Sequence, residues 1–178
     1  DFGGAIYMLN SSPVIENCMF QNNKAPYGAA VSVVNGEPTI SGCQFYNNNA
    51  EEFGGAILLA NSTGTVSNCH LSWNFARSGA GIFCCWFAQP RLINNLIVWN
   101  SAETGGGISA EYMGFPELLN CTIANNSGDG IACSWSNFSA KNSVIYNNTP
   151  NEFTCPDGEP DISYCCLTEE VDGTGNIS

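Results

Sequence analysis

The chain has 178 residues, 44% of them hydrophobic and only 11% charged, with four Lys or Arg against 16 Asp or Glu and a net charge of −12. That length suits one domain with a sizeable core, and the charge density falls well below the roughly 25% of an ordinary soluble domain, so solubility rests on Asn, Ser and Gly. So acidic a balance leaves no basic patch for nucleic acid or an anionic membrane surface, and no apolar run reaches the ~20 residues of a membrane span.

The chain starts without Met, inside a motif, at Asp1-Phe2-Gly3-Gly4, so it reads as a mature or excised piece of a longer polypeptide. From there a Gly-rich motif recurs: Gly3-Gly4-Ala5-Ile6, Gly28-Ala29-Ala30-Val31, Gly54-Gly55-Ala56-Ile57, Gly79-Ala80-Gly81-Ile82, Gly105-Gly106-Gly107-Ile108 and Gly128-Asp129-Gly130-Ile131, at spacings of 25, 26, 25, 26 and 23. A second motif follows each: Asn17-Cys18-Met19-Phe20, Gly42-Cys43-Gln44-Phe45, Asn68-Cys69-His70-Leu71, Asn95-Leu96-Ile97-Val98, Asn120-Cys121-Thr122-Ile123 and Asn142-Ser143-Val144-Ile145. A degraded copy runs from Tyr164 to Glu169. Apolar residues alternate with period two, and no stretch keeps helical periodicity over ten residues.

Strands this short bury a hydrophobic face only when each coil stacks on the next. The fold expected is therefore all-β: a right-handed parallel β-helix of about 6–7 coils of 22–27 residues, with three short strands per coil. One domain spans 1–178, with regular coils over 1–148 and a degraded last coil and acidic tail over 149–178. Five inward columns follow. The first is Ile6, Val31, Ile57, Ile82, Ile108 and Ile131; the second is Met8, Val33, Leu59, Cys84, Ala110 and Cys133. The third is Ile15, Ile40, Val66, Ile93, Leu118, Ala140 and Ile162; the fourth is Cys18, Cys43, Cys69, Leu96, Cys121, Ser143 and Cys165. The fifth is Phe20, Phe45, Leu71, Val98, Ile123, Ile145 and Leu167. Asn17, Gly42, Asn68, Asn95, Asn120 and Asn142 precede the fourth column. Asn and Gly tolerate a left-handed backbone, so these six predict a structural corner laddered by Asn side chains.

Ten Cys invite a disulfide reading. Their columnar spacing points instead to buried packing thiols, with one possible bridge between Cys155 and Cys166. No CxxC pair supports a zinc site. His70 has no partner at fixed spacing and reads as a surface residue.

These GGAI-like and FxxN-like motifs resemble the repeats of polymorphic outer-membrane proteins and, more broadly, secreted bacterial right-handed β-helix repeat proteins. Asp161-Ile162-Ser163-Tyr164-Cys165 and Asp172-Gly173-Thr174-Gly175-Asn176-Ile177 look like the closing segment of that second family. The resemblance implies an extracellular or cell-surface location, often with an anchoring module following. It does not imply an activity, because the family hosts both adhesins and carbohydrate-active enzymes.

No recognisable catalytic centre is present. Outward positions of the first strand, Tyr7, Ser32, Leu58, Phe83, Ser109 and Ala132, offer no carboxylate pair for hydrolysis. The four basic residues, Lys24, Arg77, Arg91 and Lys141, are scattered. Seven acids fall in the last 28 residues, which reads as a solvated end where Ca²⁺ is conceivable. No other cofactor is expected. The departure from pure architecture lies four residues after the first column, where Asn10, Asn35 and Asn61 give way to Trp86, Tyr112 and Trp135, with Phe83, Phe87 and Phe115 nearby. An exposed aromatic row can stack on sugar rings; the same rings can instead pack on one another. Sequons at Asn10, Asn61, Asn120, Asn125, Asn137 and Asn147 carry little weight in so Asn-rich a chain.

The function expected is a non-catalytic extracellular or surface module with a structural or adhesive role, its partner a polysaccharide or another surface protein. The alternatives are a fragment of a carbohydrate-active β-helix enzyme with its catalytic coils elsewhere, and a filament subunit that self-associates through open β-helix ends.

Overall fold

In a computed structural model, described for residues 2–168 and 171–178, the chain winds through three seven-stranded sheets. Asp1, Glu169 and Glu170, and so the ends of two motifs and part of the acidic tail, lie outside the described residues. The first sheet stacks Ile6–Leu9, Val31–Val34, Ile57–Ala60, Ile82–Cys85, Ile108–Glu111, Ile131–Ser134 and Phe153–Thr154. The second begins with Val14–Glu16 and ends with Asp161–Ser163; the third runs from Met19–Gln21 to Cys166–Leu167. Pairing is parallel throughout, and each strand meets its counterpart one coil along. Lys24–Tyr27 and Asn49–Phe53 add a short fourth ladder that single bridges carry to Thr149. No helix occurs among the described residues.

The bore of the solenoid is the core. The first column is in register coil by coil and continues to Phe153. The second column holds equally, as do the other columns outside the fourth coil, except that Cys18, in the first coil, is exposed and not buried. One buried cluster contains nearly all these side chains. The Gly motif turns the chain into the first sheet. Gly54 has φ +69°, and a Cβ there would stand 2.8 Å from the Ile57 carbonyl oxygen, closer than a side chain can come.

The fourth coil departs from expectation by one residue. Val66 pairs with Leu92, and Leu71 with Ile97. Leu92 and Ile97 therefore fill the third and fifth columns in place of Ile93 and Val98, and Leu96 points outward and is exposed. The left-handed corner is Asn94, φ 55°, not Asn95. Asn17, Gly42, Asn68, Asn120 and Asn142 do take that corner, at φ 51–61°. Because strand side chains alternate, a slip of one position reverses every assignment on the strand. The tandem Asn94-Asn95 permits either frame in the sequence; the structure uses the first Asn for the corner and buries the second.

Asn95 shows what the fourth column requires. Its Nδ2 donates to the Val66 carbonyl at 2.8 Å, and its Oδ1 accepts the Cys69 N–H at 2.9 Å. The other occupants play the same part. Cys69 and Cys121 donate through Sγ to the carbonyls of Ser67 and Leu92, each at 3.2 Å. Ser143 Oγ donates to the Lys141 carbonyl at 2.9 Å and accepts the Cys121 N–H at 3.1 Å. The slot takes a small side chain that can both donate and accept, which Leu96 could not do. All ten cysteines are free thiols. The Cys155–Cys166 bridge is not formed. Cys155 directs its Sγ to the Ser136 carbonyl at the end of the first sheet, whereas Cys166 lies in the third sheet beside Val144.

Candidate functional site

Each coil turns through left-handed residues, and what fills them divides scaffold from candidate site. After the first sheet the corner residues are Asn10, Asn35, Asn61, Trp86, Tyr112 and Trp135, with φ of 51, 56, 47, 52, 49 and 51°. Asn35 Nδ2 donates to Asn10 Oδ1 at 3.0 Å, and Asn61 Nδ2 to Asn35 Oδ1 at 2.9 Å. The ladder then stops. Trp86 is 53% exposed, Tyr112 58% and Trp135 71%. A bulky side chain in this region is disfavoured by roughly 1–2 kcal/mol. Phe87 and Met113 also have positive φ, both 65°. These two turns span five residues, 86–90 and 112–116, against the four of 10–13, 35–38 and 61–64. The inserted residue was legible in the sequence only through correct strand frames on both sides.

The corner after the third sheet repeats the pattern: Asn22, Asn47, Trp73, Trp99, Asn125 and Asn147, with φ of 52–60°. Trp99 escapes sequence reading because the misplaced frame puts Asn100 in this position, and without it Trp73 has no aromatic neighbour in register to mark a row. Their rings stack on each other, centroids 5.8 Å apart and 8° from parallel. Each indole thus spends one face on its neighbour, which makes this pair a continuation of the ladder. Trp86, Tyr112 and Trp135 form no ring stack among the described residues.

The three aromatic residues do not share one groove. Trp86 and Tyr112 border a slot of about 240 Å³ on the outer face of the first sheet, with Phe53 and Phe83 opposite. Phe83 is buried there, its ring 4.6 Å from that of Phe53. Trp135 borders a wider groove of about 680 Å³ with Phe115, Asn137, Asp157 and Glu159. His70 lies on the outer face of the third sheet beside Trp73 and Leu96, as the sequence implies.

The acids are spent on structure. Arg77 lies 3.3 Å from Glu52 and 3.5 Å from Glu103, Arg91 pairs with Glu117 at 3.2 Å, and Lys24 with Glu51 at 3.7 Å. Asp157 Oδ2 accepts the Trp135 N–H at 3.3 Å, and Asp129 Oδ1 accepts from Asn151. Among the described residues no group of three or more His, Cys, Asp or Glu is placed to hold a metal ion. Two of the buried thiols are equally quiet: burial pushes Cys69 and Cys85 up to about 12, the nearby Glu111 charge adding to the effect at Cys85. A neutral buried thiol is a poor nucleophile.

A model of the right handed beta helix region matches residues 1–150. The chain belongs to the right-handed β-helix family. No curated protein and no solved structure matches it. Membership of the β-helix family accounts for the coils and columns and leaves activity open. Within this chain, the repeat changes character over three coils, where Asn at the first corner is replaced by exposed aromatic residues.

Proposed function

We propose that this β-helix is a non-catalytic extracellular module that holds glycan chains against Trp86, Tyr112 and Trp135. One observation carries the reading: three successive coils place an exposed, unstacked aromatic side chain in a left-handed turn that the preceding coils fill with hydrogen-bonded Asn. Strain retained at an exposed position, with a less strained residue in the equivalent place nearby, argues for a use outside the fold. Free ring faces suit the C–H faces of sugars. Around Trp135, Asn137, Asp157 and Glu159 supply an amide and carboxylates for sugar hydroxyls.

Affinity electrophoresis through gels containing neutral and acidic polysaccharides tests the reading. At least one polysaccharide should retard the protein, and the triple variant Trp86→Asn/Tyr112→Asn/Trp135→Asn should run unretarded. Equal retardation of both proteins, or of neither across the panel, would overturn it.

A further inference from the structure

The slot beside Trp86 has a chemistry of its own. Its floor is the outward row of the first sheet, where Ala60 and Cys85 sit side by side in register. One wall is the aromatic ladder of Tyr27, Phe53 and Phe83, with centroid separations of 5.9 and 4.6 Å. The other wall is Trp86 and Tyr112. Leu58, Ala60, Phe83 and Cys85 form a second buried apolar cluster outside the bore, so the slot has a hydrophobic base.

A carboxylate lies just beyond the lining of the slot at one end. Cys84 pairs with Ala110, so Glu111 is the next residue after Cys85 along the outward row, one strand spacing of ~4.8 Å further on. Glu111 Oε1 accepts from Ser78 Oγ at 3.0 Å and Ser109 Oγ at 3.3 Å, which fixes the group in place. Among the described residues no cation answers it. Lys24, Arg77 and Arg91 are paired with other acids, and Lys141 lies over the Tyr164 ring.

These features select among ligands. A sugar ring laid along the exposed turns keeps its hydroxyls in water, whereas one pushed into the slot would leave them without partners against a wall of carbon. A neutral hydrocarbon would fill the slot and leave the Glu111 charge unanswered. A primary ammonium carries three N–H donors and would find one carboxylate. A quaternary ammonium has positive charge and no N–H, and its methyl groups can lie on the unstacked Trp86 and Tyr112 rings and against the carbon of the opposite wall.

We propose that the slot between Trp86 and Phe83 binds a small quaternary ammonium group of the choline type, with Glu111 as its counter-ion. This goes beyond glycan contact and does not depend on it.

Tryptophan fluorescence of the full chain, titrated with choline chloride at constant ionic strength, tests the site. 3,3-Dimethylbutan-1-ol serves as the neutral ligand of the same shape and ethanolamine as the primary ammonium. Choline should bind saturably and about tenfold more tightly than either. Phosphocholine should bind as well if an esterified head group is the source; binding of choline without phosphocholine assigns the free alcohol, and both results support the site. Glu111→Gln should weaken choline about tenfold and leave dimethylbutanol unchanged. Trp86→Asn, whose new side chain suits the left-handed backbone and which is titrated by calorimetry because it removes the reporting indole, should lose choline binding with an unaltered far-ultraviolet spectrum. Equal binding of choline and dimethylbutanol, indifference of choline to Glu111→Gln, or no saturable choline binding would overturn the proposal.

Discussion

Asn148 donates through Nδ2 to Glu152 Oε2 at 2.7 Å, and this bond ends a ladder of buried amides that runs most of the length of the solenoid. Asn48, Asn74, Asn100, Asn126 and Asn148 occupy it in successive coils. Each also donates to a carbonyl of the preceding coil, as Asn100 does to Leu71 at 3.0 Å. Asn100 Oδ1 in turn accepts the backbone and side-chain N–H groups of Asn74. Asn100→Ala would strand several buried polar groups at once, each worth roughly 1–3 kcal/mol, and should lower the urea midpoint sharply. Glu152→Ala removes a charged acceptor and should cost about 1.5–3 kcal/mol, while Glu152→Gln, which keeps an oxygen, should cost far less. No loss of stability in Glu152→Ala would show that the cap is unimportant.

The frame of the fourth coil makes opposite predictions for adjacent residues. Ile97 is fully buried between Leu71 and Ile123, and Leu96 is exposed. Ile97→Ala should therefore destabilise by about 2–5 kcal/mol and Leu96→Ala by less than about 1 kcal/mol. The frame with Leu96 and Val98 inward reverses that order, so denaturant titration of the two variants decides between them.

The same coil explains what the sequence could convey. Apolar alternation at a repeat of about 25 residues is a packing signal, and packing is what it disclosed: the fold, two complete columns and most of three others. Polar geometry was hidden. Cys43, Cys69 and Cys121 look like small apolar residues in a row, yet the slot selects for donation and acceptance, as Asn95 and Ser143 reveal. The aromatic change at Trp86, Tyr112 and Trp135 was visible as a pattern. Its division between two grooves was not, nor was the part of Glu111, since both depend on how turns fold back over the outer face of the first sheet.

The thiols set an alkaline limit on stability. Unfolded cysteines ionise near ~8.5, whereas burial holds folded Cys69 and Cys85 protonated up to about 12. Between those values the folded state binds more protons than the unfolded state, so stability falls as pH rises, by ~1.4 kcal/mol per pH unit for each such thiol. The contribution is fully present below the unfolded value. Denaturation midpoints should be insensitive to these groups at pH 6–7.5 and drop steeply above about 9. A Cys69→Ser/Cys85→Ser variant should show a shallower alkaline slope, and an unchanged slope would exclude these thiols as its source.

If the aromatic turns serve a ligand, the fold should be better off without them. Asn61 donates to Asn35 at 2.9 Å, and position 86 follows it in register, so Trp86→Asn would extend an existing ladder while relieving a left-handed bulky residue. Trp135 is the most exposed of the three and gives up least packing when replaced. Trp135→Asn alone should stabilise by about 0.5–1 kcal/mol. The triple Asn variant should gain about 2 kcal/mol, a rise of roughly 5 °C in Tm for a chain of this size. Stabilisation accompanied by loss of binding is the signature of strain kept for function. A fall in Tm for Trp135→Asn would instead assign its ring to packing, and scanning calorimetry on the single and triple variants separates these outcomes.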